Sequence, residues 1–197
     1  QWQSSATGAA PWANAAGTGS TTNTFTPPSA TPGTTYYRVL VNATGTDCAQ
    51  AVSSVVTAII IADIVVTTQP TNVNECVGGQ DQMTVAISGG SGIISYQWQS
   101  SATGAAPWAN AAGTGATTNT FTPPSATPGT TYYRVLVNAT GSDCQQATSS
   151  VVTAIIIADL VVTTQPNEII ECVDGEEVLV IQVSGGSGAV TYQWQFS

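Results

Sequence analysis

The sequence predicts an all-β protein built of tandem antiparallel sandwiches, and three observations predict it: a long internal repeat, short β-branched runs cut by turn clusters, and no helical periodicity. QWQ stands at Gln1, Gln97 and Gln193, which sets a period of 96 residues in a chain of 197. Residues 1–64 match 97–160 except at Ser20/Ala116, Thr46/Ser142, Ala49/Gln145, Val52/Thr148 and Ile64/Leu160. Residues 65–95 differ from 161–191 at about half of their positions, mostly with polarity kept, as at Val73/Ile169 and Ile87/Val183. The period is longer than the ~20–50 residues of solenoid units, so each copy is expected to fold as a domain in an array. The expected division is 1–62 as a partial repeat (third to last strands), 63–158 as a complete repeat, and 159–197 as a partial repeat (first to third strands).

The complete repeat supplies about seven strands. Val65 to Gln69 stops at Pro70; Met83 to Ser88 alternates Met83, Val85 and Ile87 with Thr84, Ala86 and Ser88, then ends at Gly89-Gly90-Ser91-Gly92. Ile94, Tyr96 and Trp98 form the next alternating set, followed by a small-residue stretch that carries Trp108. Thr117 to Thr122 stops at Pro123-Pro124, and Thr130 to Asn138 and Ser149 to Ile157 complete the repeat. Strands of this length and spacing, punctuated by Gly and Pro, are what a two-sheet sandwich requires.

GGQDQMTVAISGG, then YQW, then TYYRVLVNATG and a final SSVVTAIII resemble the immunoglobulin-like repeats of large bacterial surface adhesins, particularly those of gliding bacteria. The resemblance covers the whole chain. It implies tandem immunoglobulin-like sandwiches, with Trp98 as the core tryptophan of the third strand and Tyr133, two residues before Val135, at a tyrosine corner. Ile87 and Val135 stand where such domains often carry an inter-sheet cystine, so the resemblance implies a core around Trp98 held by apolar packing.

Composition narrows the function. The chain has no His, two Lys+Arg against 11 Asp+Glu, and a formal net charge of −9. Without His there is no imidazole base for a Ser or Cys nucleophile and no His metal ligand, so no enzyme and no cofactor are expected. Two cations, Arg38 and Arg134, cannot neutralise a run of phosphates, which excludes nucleic acid as a partner. No uninterrupted apolar stretch reaches 18 residues, so no membrane-spanning segment is expected.

Cys48, Cys76, Cys144 and Cys172 contain no CxxC pair and have no His beside them, so disulfides in an oxidising compartment fit better than zinc. The same-domain pair Cys76 with Cys144, the cross-junction pair Cys48 with Cys76, and a bridge to another repeat or chain remain alternatives. Simple immunoglobulin topology puts the turns bearing Cys76 and Cys144 at opposite ends, beyond the ~7 Å that a bridge spans. Asp63, Asp159, Glu168, Glu171, Asp174, Glu176 and Glu177 invite a calcium reading, but the pattern of a loop site is missing; solvated acids that discourage edge-to-edge pairing fit better. Trp12 and Trp108, each within AAPWANAAG, are candidate ligand platforms, with coverage of a sandwich flank as the ordinary alternative. Arg134 is expected to face outward and to pair with a local acid or carbonyl. Asn42 and Asn138 fit the glycosylation acceptor pattern, an accidental match in a bacterial source.

The function these features favour is a structural and adhesive segment of a long extracellular, cell-surface fibre. Its partners would be neighbouring repeats or other copies, with surface glycans or host or neighbour-cell proteins as adhesive targets. The rival is a carbohydrate- or protein-binding module using exposed Trp and loop residues. Continuity of apolar residues from Ser149 to Val162 predicts a short linker and a rise of roughly 35–45 Å per repeat, about ten strand residues plus turns. Both termini fall beside a YQWQ or QWQ strand, which favours a window cut from a periodic fibre over copies that exchange strands.

Overall fold

The computed structural model of the protein describes residues 1–45, 49–141 and 144–197, and no helix occurs among them. They form two compact units. One comprises Gln1–Asp63 with Gly89–Gly92 and Gly141–Gln145; the other comprises Ile64–Ser88, Ile93–Thr140 and Gln146–Ser197.

In the first unit, β1 (Trp2–Ser5) lies between β2 (Ala13–Asn14) and β3 (Gly33–Val41), and β3 also pairs with β4 (Ala51–Val52) and β5 (Val56–Ile60). All four pairings are antiparallel, with Trp2 opposite Val39 and Tyr37 opposite Val56.

The second unit holds both layers of a sandwich. Its strands are β6 (Val65–Thr68), β7 (Val73–Cys76), β8 (Met83–Thr84), β9 (Ala86–Ser88), β10 (Ile93–Ser101), β11 (Ala109–Asn110), β12 (Thr120–Phe121), β13 (Gly129–Thr140), β14 (Ala147–Thr148) and β15 (Val152–Ile157). One sheet has the order β11-β10-β13-β15-β7, with β14 also on β13; β6 on β9 and β12 on β8 make the facing layer. The fold is immunoglobulin-like, and the strand order establishes it: the first strand divides between the layers, β6 joining one antiparallel and β7 crossing to lie parallel to the last strand, β15. Beyond it, β16 (Val161–Thr164) and β17 (Gln182–Ser184) pair antiparallel with the irregularity of β6 and β9, at Val162/Thr164 as at Val66/Thr68.

Alternation decides what fills the interior. On β13, Tyr133, Val135 and Val137 point inward while Arg134 and Leu136 point out; on β15 the inward set is Val152, Ala154 and Ile156. Trp98, directly opposite Val135, is fully buried and stacks on Phe121 at 5.1 Å between ring centres; Phe121 in turn meets Tyr133 at 5.1 Å, tilted by 52°. The Trp98 indole N–H donates to the Thr118 carbonyl at 2.9 Å, so the buried ring leaves no donor unpaired. Met83 and Val85 close the core from the facing layer, and each such side chain contributes about 1.5–3 kcal/mol on burial.

The structure departs from the sequence reading in four elements. The run Met83 to Ser88 divides because it changes partner: Met83 and Thr84 pair with Phe121 and Thr120, Val85 extends that register by donating its N–H to the Asn119 carbonyl at 2.9 Å, and Ala86 to Ser88 pair with β6. Thr117 to Thr122 shrinks to β12 because Gly113 and Gly115 force the preceding chain into a tight loop. The last strand starts at Val152, since the Ser149 hydroxyl takes the place of a strand carbonyl and accepts the Val135 N–H at 3.0 Å. The parallel strand β7 had no sequence signal, being too short for alternation to register.

Candidate functional site

The outer face of the β11-β10-β13 sheet gathers the few side chains with recognition chemistry. Gln99 and Arg134 are opposite residues of β10 and β13, and both point away from the core. Arg134 Nε donates to Gln99 Oε1 at 2.9 Å, and the guanidinium carbon lies 4.4 Å from the centre of the Trp108 ring. Trp108 reaches this position from the residue before β11, after the cis Ala106–Pro107 peptide. The first unit repeats the arrangement: Arg38 Nε donates to Gln3 Oε1 at 2.9 Å, with its guanidinium 4.3 Å from Trp12. Each of the chain's two cations therefore sits on a tryptophan and is oriented by a glutamine, an attraction of about 0.5–2 kcal/mol. Trp12 and Trp108 are both half-buried.

Among the described residues, Arg134 thus has as its partners the Gln99 amide oxygen and an aromatic face, and no carboxylate. Gln3 and Gln99 were absent from the sequence reading; the signal was the QWQ triplet itself, whose outward glutamines flank the inward tryptophan. Phe121 was likewise missed, a lone aromatic in a Thr-rich stretch whose partners lie far away in sequence.

The other singled-out residues are dispersed. Ile87 is half-buried at the margin of the core, which Met83 and Val85 fill in its place. Tyr133 is buried, and burial raises the pKa of its phenol above the ordinary value while the nearby Thr131 side chain opposes that shift. Cys76 and Cys172 are exposed and carry no disulfide, while the Cys144 thiol donates to the Ala62 carbonyl at 3.7 Å. Cys48 lies outside the described residues. Glu75 and Glu171 each accept a backbone N–H six residues ahead, from Asp81 at 2.8 Å and Glu177 at 3.0 Å, so both close local loops. Among the described residues no three His, Cys, Asp or Glu form a metal-holding group, and no helix is long and apolar enough to cross a membrane. Asn42 and Asn138 accept from the Gln50 and Gln146 amides, both at 2.9 Å.

No curated protein matches the chain in sequence. Among solved structures it is similar to Sidekick-1 immunoglobulin domains 1–5, at 15% identity and a TM-score of 0.42 over 94% of this chain and 40% of that one. It is also similar to Sidekick-1 immunoglobulin domains 1–4, at 14% identity and a TM-score of 0.39 over 71% of this chain and 38% of that one. The chain therefore spans about two fifths of the length of those structures. A family model matches residues 1–62 and again 66–158, and the protein belongs to that family, a domain of unknown function (DUF8696).

Proposed function

We propose that the chain is a structural and adhesive segment of a long extracellular bacterial surface fibre built from tandem immunoglobulin-like domains, divided as 1–62, 63–158 and 159–197. The observation that supports this is repetition without variation of chemistry. Trp2 pairs with Val39 as Trp98 does with Val135, Tyr37 with Val56 as Tyr133 with Val152, and the Trp–Phe–Tyr ring stack recurs at 5.2 Å. A unit copied with its core and surface intact serves extension and avidity, where number matters more than difference. The chain performs no catalysis in this reading and needs no cofactor. Cell-surface exposure is tested by labelling intact source cells with antibody to the chain: a surface signal lost on external protease treatment is expected, and signal only after permeabilisation would refute the reading.

The Arg134–Trp108–Gln99 array favours a second reading, a carbohydrate- or protein-binding module. Binding on a glycan array, lost with Trp108→Ala and kept with a core-neutral surface change such as Ile93→Thr, would support it over a purely structural role.

A further inference from the structure

Both arginines stand in a cross-strand row of amides. Asn110, Gln99 and Arg134 lie opposite one another on β11, β10 and β13, and Asn14, Gln3 and Arg38 repeat the row on β2, β1 and β3. Each guanidinium lies over a tryptophan ring and gives its Nε–H to a glutamine oxygen, which fixes its plane. Neither contact uses the terminal NH2 groups, and among the described residues these meet no acceptor. The acids are placed elsewhere. None of the 11 Asp+Glu falls within residues 1–46 or 82–142, the stretches that supply β1, β2, β3, β10, β11 and β13. In a chain of net charge −9, each cation is therefore held without a counter-charge on a sheet whose own strands carry no acid.

We propose that each row is a binding site for the carboxylate of an acidic sugar. A guanidinium whose plane is already fixed loses little freedom on binding, and its open edge presents the parallel N–H donors that a carboxylate accepts in pairs. One guanidinium balances one charge, which suits a carboxylate better than a phosphate of nearly two. The sugar hydroxyls around that carboxylate meet amides on the same row: Asn110 is exposed, with a donor and an acceptor, and the Gln99 NH2 group stands beside the guanidinium. A protein partner would instead need an apolar anchor at the centre of its footprint, and here the Trp108 ring is half-buried beneath Arg134. Charge acts over about 8 Å at physiological ionic strength, so the acid-free strands govern the approach of an anion more than the net charge does. A polymer that repeats the carboxylate engages more than one row, and weak sites then add by avidity. The inference rests on the binding-module reading and supplies its ligand class and its charged residue.

The test is the full chain on an array of oligosaccharides ending in glucuronic, galacturonic or sialic acid, beside the methyl esters of the same sugars and sulfated neutral sugars. Binding of the acids is expected, weakened roughly tenfold to a hundredfold by esterification, as for the loss of charge-assisted hydrogen bonds. Arg38→Gln together with Arg134→Gln removes both guanidinium groups and should abolish binding, while each change alone leaves one site and an intermediate signal. Circular dichroism checks that the variants are folded. Gln80→Glu, exposed on the loop before β8, shifts the net charge in the same direction away from these rows and should leave binding unchanged. Equal binding of acids and esters, a preference for the sulfated sugars, or acid binding that survives the folded double variant would overturn the carboxylate site and leave the binding-module reading standing. An array on which no sugar binds would overturn both.

Discussion

Tyr133 joins an apolar ring stack to an ionisable hydroxyl, and its chemistry makes a testable link to pH. Burial favours the neutral phenol, so the folded pKa stands above the ordinary value of about 10. The unfolded chain ionises first as pH rises, which lowers the free energy of the unfolded state relative to the folded one. Stability from this group is therefore intact below about pH 10 and lost as pH climbs through the folded value. Urea titrations of the wild type should show an alkaline decline that Tyr133→Phe flattens. An unchanged alkaline slope would show that Tyr133 is not its source.

Among the elements, the bend before β15 depends on one hydroxyl. Ser149 is buried, accepts the Val135 N–H and donates to the Ser150 carbonyl at 2.9 Å, so it satisfies a ladder position that the strand vacates. Ser149→Ala leaves a buried N–H without an acceptor and should cost about 1–3 kcal/mol by chemical denaturation. The loop before β12 has a different constraint. Gly113 has φ of 137°, and a methyl there would lie 2.5 Å from the Thr122 carbonyl oxygen and 2.7 Å from the Phe121 ring. Gly113→Ala should destabilise the second unit by about 2 kcal/mol or more, from backbone strain together with displacement of Phe121. Differential scanning calorimetry would read this as a lowered transition for that unit.

For the whole molecule, the scarcity of cations becomes a measurable property. The only tryptic sites are Arg38 and Arg134, and each lies within a long strand, half-buried and pinned by a glutamine. Cleavage requires the surrounding sheet to open, so the rate reports the free energy of opening. The first unit leaves Val41 and Val56 exposed where the second buries its counterparts, so Arg38 should be cut well before Arg134. Mass spectrometry of a timed digest under native conditions should show residues 1–38 released first. Simultaneous cleavage would mean that the two sheets open together.

The sequence by itself determined the all-β class, the period and the direction of the long strands, because side-chain alternation is a local signal that a strand of nine to twelve residues repeats several times. It could also tell that chemistry would be sparse, since composition needs no coordinates. Only the tertiary structure decided the short elements and the meeting of distant residues. β7 is four residues long and exists because β15 offers it a parallel edge. Phe121 belongs to the core because Trp98 and Tyr133 converge on it, and Arg134 lies on Trp108 because β10, β11 and β13 stand side by side. These contacts join residues 12 to 35 positions apart, and no local pattern records a neighbour supplied by sheet pairing.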